Sequence, residues 1–204
     1  MSLYGDYAVV GYGHIGTYKE TWAKTFFIKK SKETGRWFRS DGPLGYSGYA
    51  VAISDKFLIT GNHRDSPQNN KNWTYVFSIN EEGRLSKKSI ETDMPGYKLS
   101  LTGNILATNI GVYQYYESTE EWGRLYKYYN GTADGKQRIA TDGKRVIVQD
   151  GTGSSDARIY DLIGTEESWA TDKPKAGAGV PVGIYGDYAL VGQSYDAGLK
   201  TQIS

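Results

Sequence analysis

The chain has 204 residues, with 24 basic against 23 acidic side chains and a net charge of +1. That length suits one sizeable domain, and a chain of this size buries roughly 70% of its unfolded surface without covalent staples. The lack of cysteine excludes disulfides, thiolate nucleophiles and cysteine-ligated zinc, and the balanced charge excludes the basic field that draws proteins to phosphate backbones.

No apolar run is long enough to span a membrane as a helix. The opening MSLYGDYAVVG lacks the basic and apolar stretches of a signal peptide. It enters a strand pattern at once, and its Met-Ser-Leu also fits a piece of a longer chain. The 26 glycines and 18 tyrosines suit a β-rich protein with many turns.

The first phrase to stand out is YGDYAVVG, Tyr4 to Gly11, a turn dipeptide followed by a short apolar run. MSLY before it fills the place of a short first strand. A loop then leads to KTFFIKK (Lys24 to Lys30), the turn KETG, and a fourth strand seeded by Arg36-Trp37. The series recurs as YAVAIS (Tyr49 to Ser54), SDKFLITG (from Ser54), NWTYVFSI (Asn72 to Ile79), NEEG and Arg84-Leu85. It recurs again as YKLSLT (Tyr97 to Thr102), TGNILATN (from Thr102), GVYQYYES (Gly111 to Ser118), STEE and Trp122 to Leu125. A fourth copy reads QRIATD (Gln137 to Asp142), DGKRVIVQ (from Asp142), DARIYDL (Asp156 to Leu162), GTEE and Ser168-Trp169. The fifth has PVGIY (Pro181 to Tyr185) and YGDYALVG (Tyr185 to Gly192). LKTQIS (Leu199 to Ser204) then fits the start of a third strand, and a fourth is missing.

The second turn positions are Gly5, Asp55, Gly103, Gly143 and Gly186, spaced by 50, 48, 40 and 43 residues. Four short strands at that period are the sequence sign of a β-propeller blade. One twisted four-stranded sheet cannot cover both of its faces, whereas sheets stacked around an axis cover each other. No helical periodicity of useful length competes. The expected fold is therefore all-β: a single propeller domain of four-stranded antiparallel blades. Its repeats run at about 1–45, 46–95, 96–135, 136–178 and a partial 179–204. Either five blades close a ring with one incomplete, or the ring is cut. An open ring would expose its terminal faces and favour self-association.

LGYSGYAVAISDKFLITG (Leu44 to Gly61), followed by WTYVFSINEEGRL (Trp73 to Leu85), resembles the FG-GAP class of propeller repeat, found in integrin α-subunit heads and bacterial surface proteins. GVPVGIYGDYALVG (Gly179 to Gly192) fits the first half again. The resemblance covers nearly the whole chain, clear in the first, second and fifth repeats and blurred between them. It implies adhesion or extracellular recognition, at a cell surface or in a secreted protein. Two features depart from the family. Its Gly-Ala-Pro after the second strand is absent, and so is the integrin-type calcium loop Asp-x-Asp-x-Asp-Gly. The two-residue turns that stand at the calcium site converge too few oxygens to hold the ion. No Trp-Asp dipeptide supports the WD40 class. SKETGRW (Ser31 to Trp37) nearly matches a sialidase Asp-box, but a turn needing glycine explains it.

Catalytic chemistry finds little support. His14 and His63 are the two histidines, each just after a second strand, and no histidine–carboxylate motif surrounds them. They fit a shared ligand site or two solvated loop positions. No Gly-x-Ser-x-Gly or phosphate loop occurs. The acidic pairs Glu81-Glu82, Glu120-Glu121 and Glu166-Glu167 fall in third-to-fourth-strand turns, which makes them turn formers rather than the facing carboxyls of a glycosidase. Trp37, Trp122 and Trp169 take related places in fourth strands and read as inter-blade packing. Trp22 and Trp73, each at the end of a long loop, read the same way. Asn72-Trp73-Thr74 and Asn130-Gly131-Thr132 match the N-glycosylation pattern. No cofactor or metal is expected.

In a four-stranded meander, second-to-third-strand connections open on one face, together with those that lead to the next repeat. Here the connections of the opposite face are tight, while Tyr12 to Lys24, Gly61 to Asn72, Asp150 to Ser155 and Gln193 to Gly198 are long. Long loops on a rigid scaffold are where function sits. They carry Tyr12, His14, Tyr18, His63, Arg64, Asp65, Asn69, Asn70, Asp150, Tyr195 and Asp196, a mix suited to glycan or protein surfaces. The expected function is a non-catalytic module that binds a protein or carbohydrate through this face. It inserts into no membrane, binds no nucleic acid and self-associates through incomplete terminal blades. The alternatives are a propeller-type glycoside hydrolase or lyase, and a structural fragment that assembles with another chain.

Overall fold

Short runs of alternating β-branched and aromatic residues, separated by tight turns, pair readily with their neighbours in sequence, and every described strand does so. The computed structural model describes residues 1–13, 23–39, 50–61, 74–90, 98–109, 111–127, 138–149, 157–162, 182–195 and 198–203. Every regular element among them is a β-strand.

The first sheet pairs β1 (Ser2–Tyr4), β2 (Tyr7–Gly13), β3 (Ala23–Lys30) and β4 (Trp37–Arg39) in chain order. The second pairs β5 (Ala50–Ile53), β6 (Phe57–Gly61), β7 (Thr74–Ile79) and β8 (Leu85–Ile90). The third pairs β9 (Leu99–Thr102), β10 (Ile105–Thr108), β11 (Gly111–Tyr116) and β12 (Glu121–Lys127). In the fourth, β13 (Arg138–Thr141), β14 (Arg145–Gln149) and β15 (Ala157–Asp161) are described. The fifth holds β16 (Val182–Tyr185), β17 (Tyr188–Tyr195) and β18 (Gly198–Ile203). All pairings are antiparallel meanders, one per sequence repeat. The fourth-strand seed Ser168-Trp169 lies outside the described residues.

The hairpin turns have a local cause. Gly5, Gly103, Gly143 and Gly186 stand at φ of +52°, +54°, +88° and +53°. A glycine in the left-handed region at the first central position gives a turn whose twist matches that of the strands it joins. The second repeat has Asp55 there instead, outside that region. Its turn is held by Ser54, whose Oγ accepts from the amides of Lys56 and Phe57 at 3.4 and 3.3 Å. The third-to-fourth-strand turns use the same device at Gly35 and Gly83, and in the third repeat Glu120 takes that conformation at φ +54°. The Ser31–Trp37 segment is a turn held by its own hydroxyls: the Thr34 amide donates to Ser31 Oγ at 3.1 Å and the Arg36 amide to Thr34 Oγ1 at 3.4 Å.

The described contacts divide the chain into two compact units, Met1–Leu99 and Ser100–Ser204. In the first unit Val9 and Phe27 of the first sheet pack with Ile53, Leu58 and Phe77 of the second. Phe27 is wholly buried, which contributes about 2–3 kcal/mol, and Tyr7 stacks on it at 5.5 Å. Lys29 Nζ crosses to the second sheet and donates to the Glu82 carbonyl at 2.8 Å. Gly83 makes room for that crossing. A Cβ there would stand 2.7 Å from Lys29 Nζ and 2.8 Å from the Tyr7 hydroxyl.

In the second unit two further layers repeat this packing. Ala107 and Val112 meet Val146, Val148 and Tyr160 between the third and fourth sheets. Ile147 and Ala157 meet Val191 between the fourth and fifth. Strand alternation sends Val146 and Val148 one way and Ile147 the other.

A hydroxyl joins neighbouring sheets at one repeated place. Ser2 Oγ accepts from the Ile53 amide at 3.3 Å, and Ser100 Oγ accepts from the Thr141 amide at 3.0 Å. Both serines lie three residues before the turn glycine, and the same position in the second and fourth repeats is Ala52 and Ala140. Between the fourth and fifth sheets Arg145 does the joining. Its guanidinium donates to the Gly186 carbonyl and lies 3.5 Å from both Asp187 Oδ1 and Asp142 Oδ2.

Two fourth-strand tryptophans depart from the expected packing. Trp37 is 45% exposed, on β4, a three-residue strand at the edge of its sheet. Trp122 is half-buried against Tyr115 of its own sheet, with ring centroids 5.6 Å apart.

Candidate functional site

Each meander has two ends, and their chemistry differs. At one end lie the tight hairpin turns, closed by their own backbone and side chains. Asp142 Oδ1, for example, accepts from the amides of Lys144 and Arg145 at 2.9 and 2.7 Å. At the other end the second strand passes to the third. There the register follows a volume rule. A second-strand glycine, six after the turn position, stands opposite a threonine in three repeats: Gly11 opposite Thr25, Gly61 opposite Thr74, Gly192 opposite Thr201. The fourth repeat inverts the sizes, with Gln149 opposite Ala157. In the third repeat Asn109 stands in the glycine's place, beside Thr108, whose hydroxyl donates to the Gly111 carbonyl at 3.1 Å.

The loop ends therefore rest on buried polar side chains. Thr25, Thr60, Thr74, Thr108, Asn109 and Gln149 are all at most 2% exposed. The other buried polar residues, Ser54 and Thr141, belong to the turn ends and serve turn hydrogen bonds. Asn109 differs from the rest. It is completely buried, and among the described residues neither its Oδ1 nor its Nδ2 meets a hydrogen-bond partner. A buried amide left unsatisfied costs about 1–3 kcal/mol.

Of the residues expected to form the loop-face site, Tyr12 lies in β2 and Tyr195 ends β17. Both strands lead into second-to-third-strand connections. His14, Tyr18, His63, Arg64, Asp65, Asn69, Asn70, Asp150 and Asp196 lie outside the described residues, as do Trp22 and Trp73. Asn109 was not anticipated. The signal for it was available: an amide side chain in a repeat position that glycine fills in three other copies. Among the described residues no three His, Asp or Glu side chains gather as a metal site would require. The acidic pairs Glu81-Glu82 and Glu120-Glu121 are exposed in their turns, and Glu82 pairs with Arg84 at 3.1 Å.

No family model matches the chain, and no curated protein matches it. Among solved structures, YjhT, a propeller-fold protein, superposes with a TM-score of 0.56 at 13% identity, over 89% of this chain and 73% of that one. At that identity the likeness is one of fold alone. The chain is an all-β protein of small antiparallel sheets with a propeller-like, YjhT-like fold.

Proposed function

We propose that this protein is a non-catalytic binding module: a propeller whose repeats present their loop ends to a protein or glycan at a cell surface or outside the cell. The observation that carries the reading is the difference between the two ends of each sheet. Turn ends satisfy their own polar groups. Loop ends stand on buried threonines and amides, among them an Asn109 that meets no hydrogen-bond partner among the described residues. Polar groups placed at the loop ends suit a ligand recognised by hydrogen bonds, such as a sugar or a polar protein surface. The FG-GAP resemblance supports recognition rather than turnover.

The test is binding to glycan and protein arrays by the parent chain and by His63→Ala, Arg64→Ala, Tyr195→Ala and Asn109→Leu variants. A selective hit that weakens at least tenfold in one or more loop-end variants is the expected result. Binding that survives all four substitutions would remove the site.

A further inference from the structure

The third repeat turns back sooner than the others. Six residues after the turn position stand Gly11, Gly61, Gln149 and Gly192, each still inside its second strand. Each has a cross-strand partner there: Thr25, Thr74, Ala157 and Thr201. In the third repeat β10 stops one residue earlier, at Thr108, and β11 begins at Gly111. The last pair between those strands is Ala107 with Val112. Asn109 therefore lies in the connection, at a level where the other repeats still pair.

The chain around it is closed and largely apolar. Leu106, Ala107 and Val112 are wholly buried, as is Asn109 itself. The Thr108 hydroxyl is committed to the Gly111 carbonyl at 3.1 Å. Both polar atoms of the Asn109 carboxamide, Oδ1 and Nδ2, are buried with no hydrogen-bond partner among the described residues.

The chemistry of the carboxamide narrows what can satisfy it. It sets an acceptor beside a donor, so a partner for both must donate and accept through neighbouring sites. Water does this, donating to Oδ1 while accepting from an Nδ2 hydrogen. Water also has the size for a wholly buried position, since anything larger would have to part the strand end. A hard cation does not fit. It needs several oxygen ligands, and among the described residues no three His, Asp or Glu side chains gather.

We propose that Asn109 is the binding site of a single internal water molecule, held at the loop end of the third repeat. The carboxamide and its water together occupy the level that a glycine–threonine pair fills in the first, second and fifth repeats. Buried waters of this kind serve polar groups that the chain leaves unsatisfied, and they persist as part of the structure. The water does not depend on the binding reading above. A chain that captured nothing on an array would still hold it.

Water-to-protein NMR cross-relaxation on the full chain tests this. The Asn109 Nδ2 protons, assigned through their own Cβ, are expected to show cross-peaks to water with the sign of a long-lived dipolar contact. Cross-peaks to protein protons alone, or signals from proton exchange alone, overturn the proposal. Oxygen-17 relaxation dispersion of the solvent gives a second measurement. Asn109→Leu fills a similar volume and removes both polar atoms, so the dispersion amplitude is expected to fall by about one water per chain. An amplitude equal to that of the parent overturns the proposal. Matching circular dichroism spectra check that the variant folds, and if it does not, the cross-relaxation of the parent decides alone.

Discussion

Gly103 shows how much of this fold hangs on single backbone positions. It sits at φ +54° with nothing within 4 Å of where a Cβ would be. An alanine there meets no clash, so the cost is purely conformational, about 1–2 kcal/mol for a left-handed L-residue. Gly103→Ala is expected to lower the unfolding free energy by that amount, read in urea as a lower midpoint with an unchanged slope. Such positions were legible in the sequence because their chemistry is local: a turn dipeptide between two apolar runs has few other uses. Asp55 was legible as a turn but not as a different turn, since the outcome depends on the hydroxyl of Ser54 beside it. Asn109 was not legible as a buried residue at all. Its burial comes from what packs over the strand end, and no periodicity reports that.

Among elements, the first strands do more than start a hairpin, since Ser2 and Ser100 each tie a strand to the backbone of the next repeat. Removing a hydroxyl from a partly buried hydrogen bond costs about 1 kcal/mol. Ser100→Ala is expected to destabilise the chain by that amount in thermal or urea unfolding. Ala140→Ser, at the same place one repeat on, is expected to gain nothing comparable, because Arg145 already serves that joint. The strands themselves were read from the sequence with ends good to a residue or two: KTFFIKK became β3 at Ala23–Lys30, and DARIYDL became β15 at Ala157–Asp161. The fourth strands were harder. Trp37 looked like packing because tryptophan is large and apolar, yet it stands partly exposed on a three-residue strand at the edge of its sheet. LKTQIS suggested only the start of a third strand, whereas β18 pairs with β17 from Gly198 to Ile203. Its polar residues give no hydrophobic signal, and the pairing is supplied by β17.

For the molecule as a whole, the five-fold repetition and the all-β class were plain from spacing and turn chemistry, because each repeat states them again. Which faces of distant repeats meet was not, since such contacts join residues far apart in sequence. Charge is a whole-molecule property too. With 24 basic and 23 acidic side chains and no block of one sign, the chain is expected to pass unretained through an immobilised polyanion column at moderate salt. Retention that falls steeply with added salt would instead reveal a basic patch in the loops.

The hydroxyl joints also bear on how such a chain can lengthen or shorten over generations. They link the first repeat to the second and the third to the fourth, and in the second repeat the place of the accepting serine is held by Ala52. Ser2, Ala52, Ser100 and Ala140 thus alternate along the first four repeats, each serine accepting from an amide of its successor. Loss or duplication of a single repeat would bring two serines or two alanines into neighbouring places and break the alternation. Loss or duplication of a pair would leave it intact, so length variants of this architecture should differ by two repeats more often than by one.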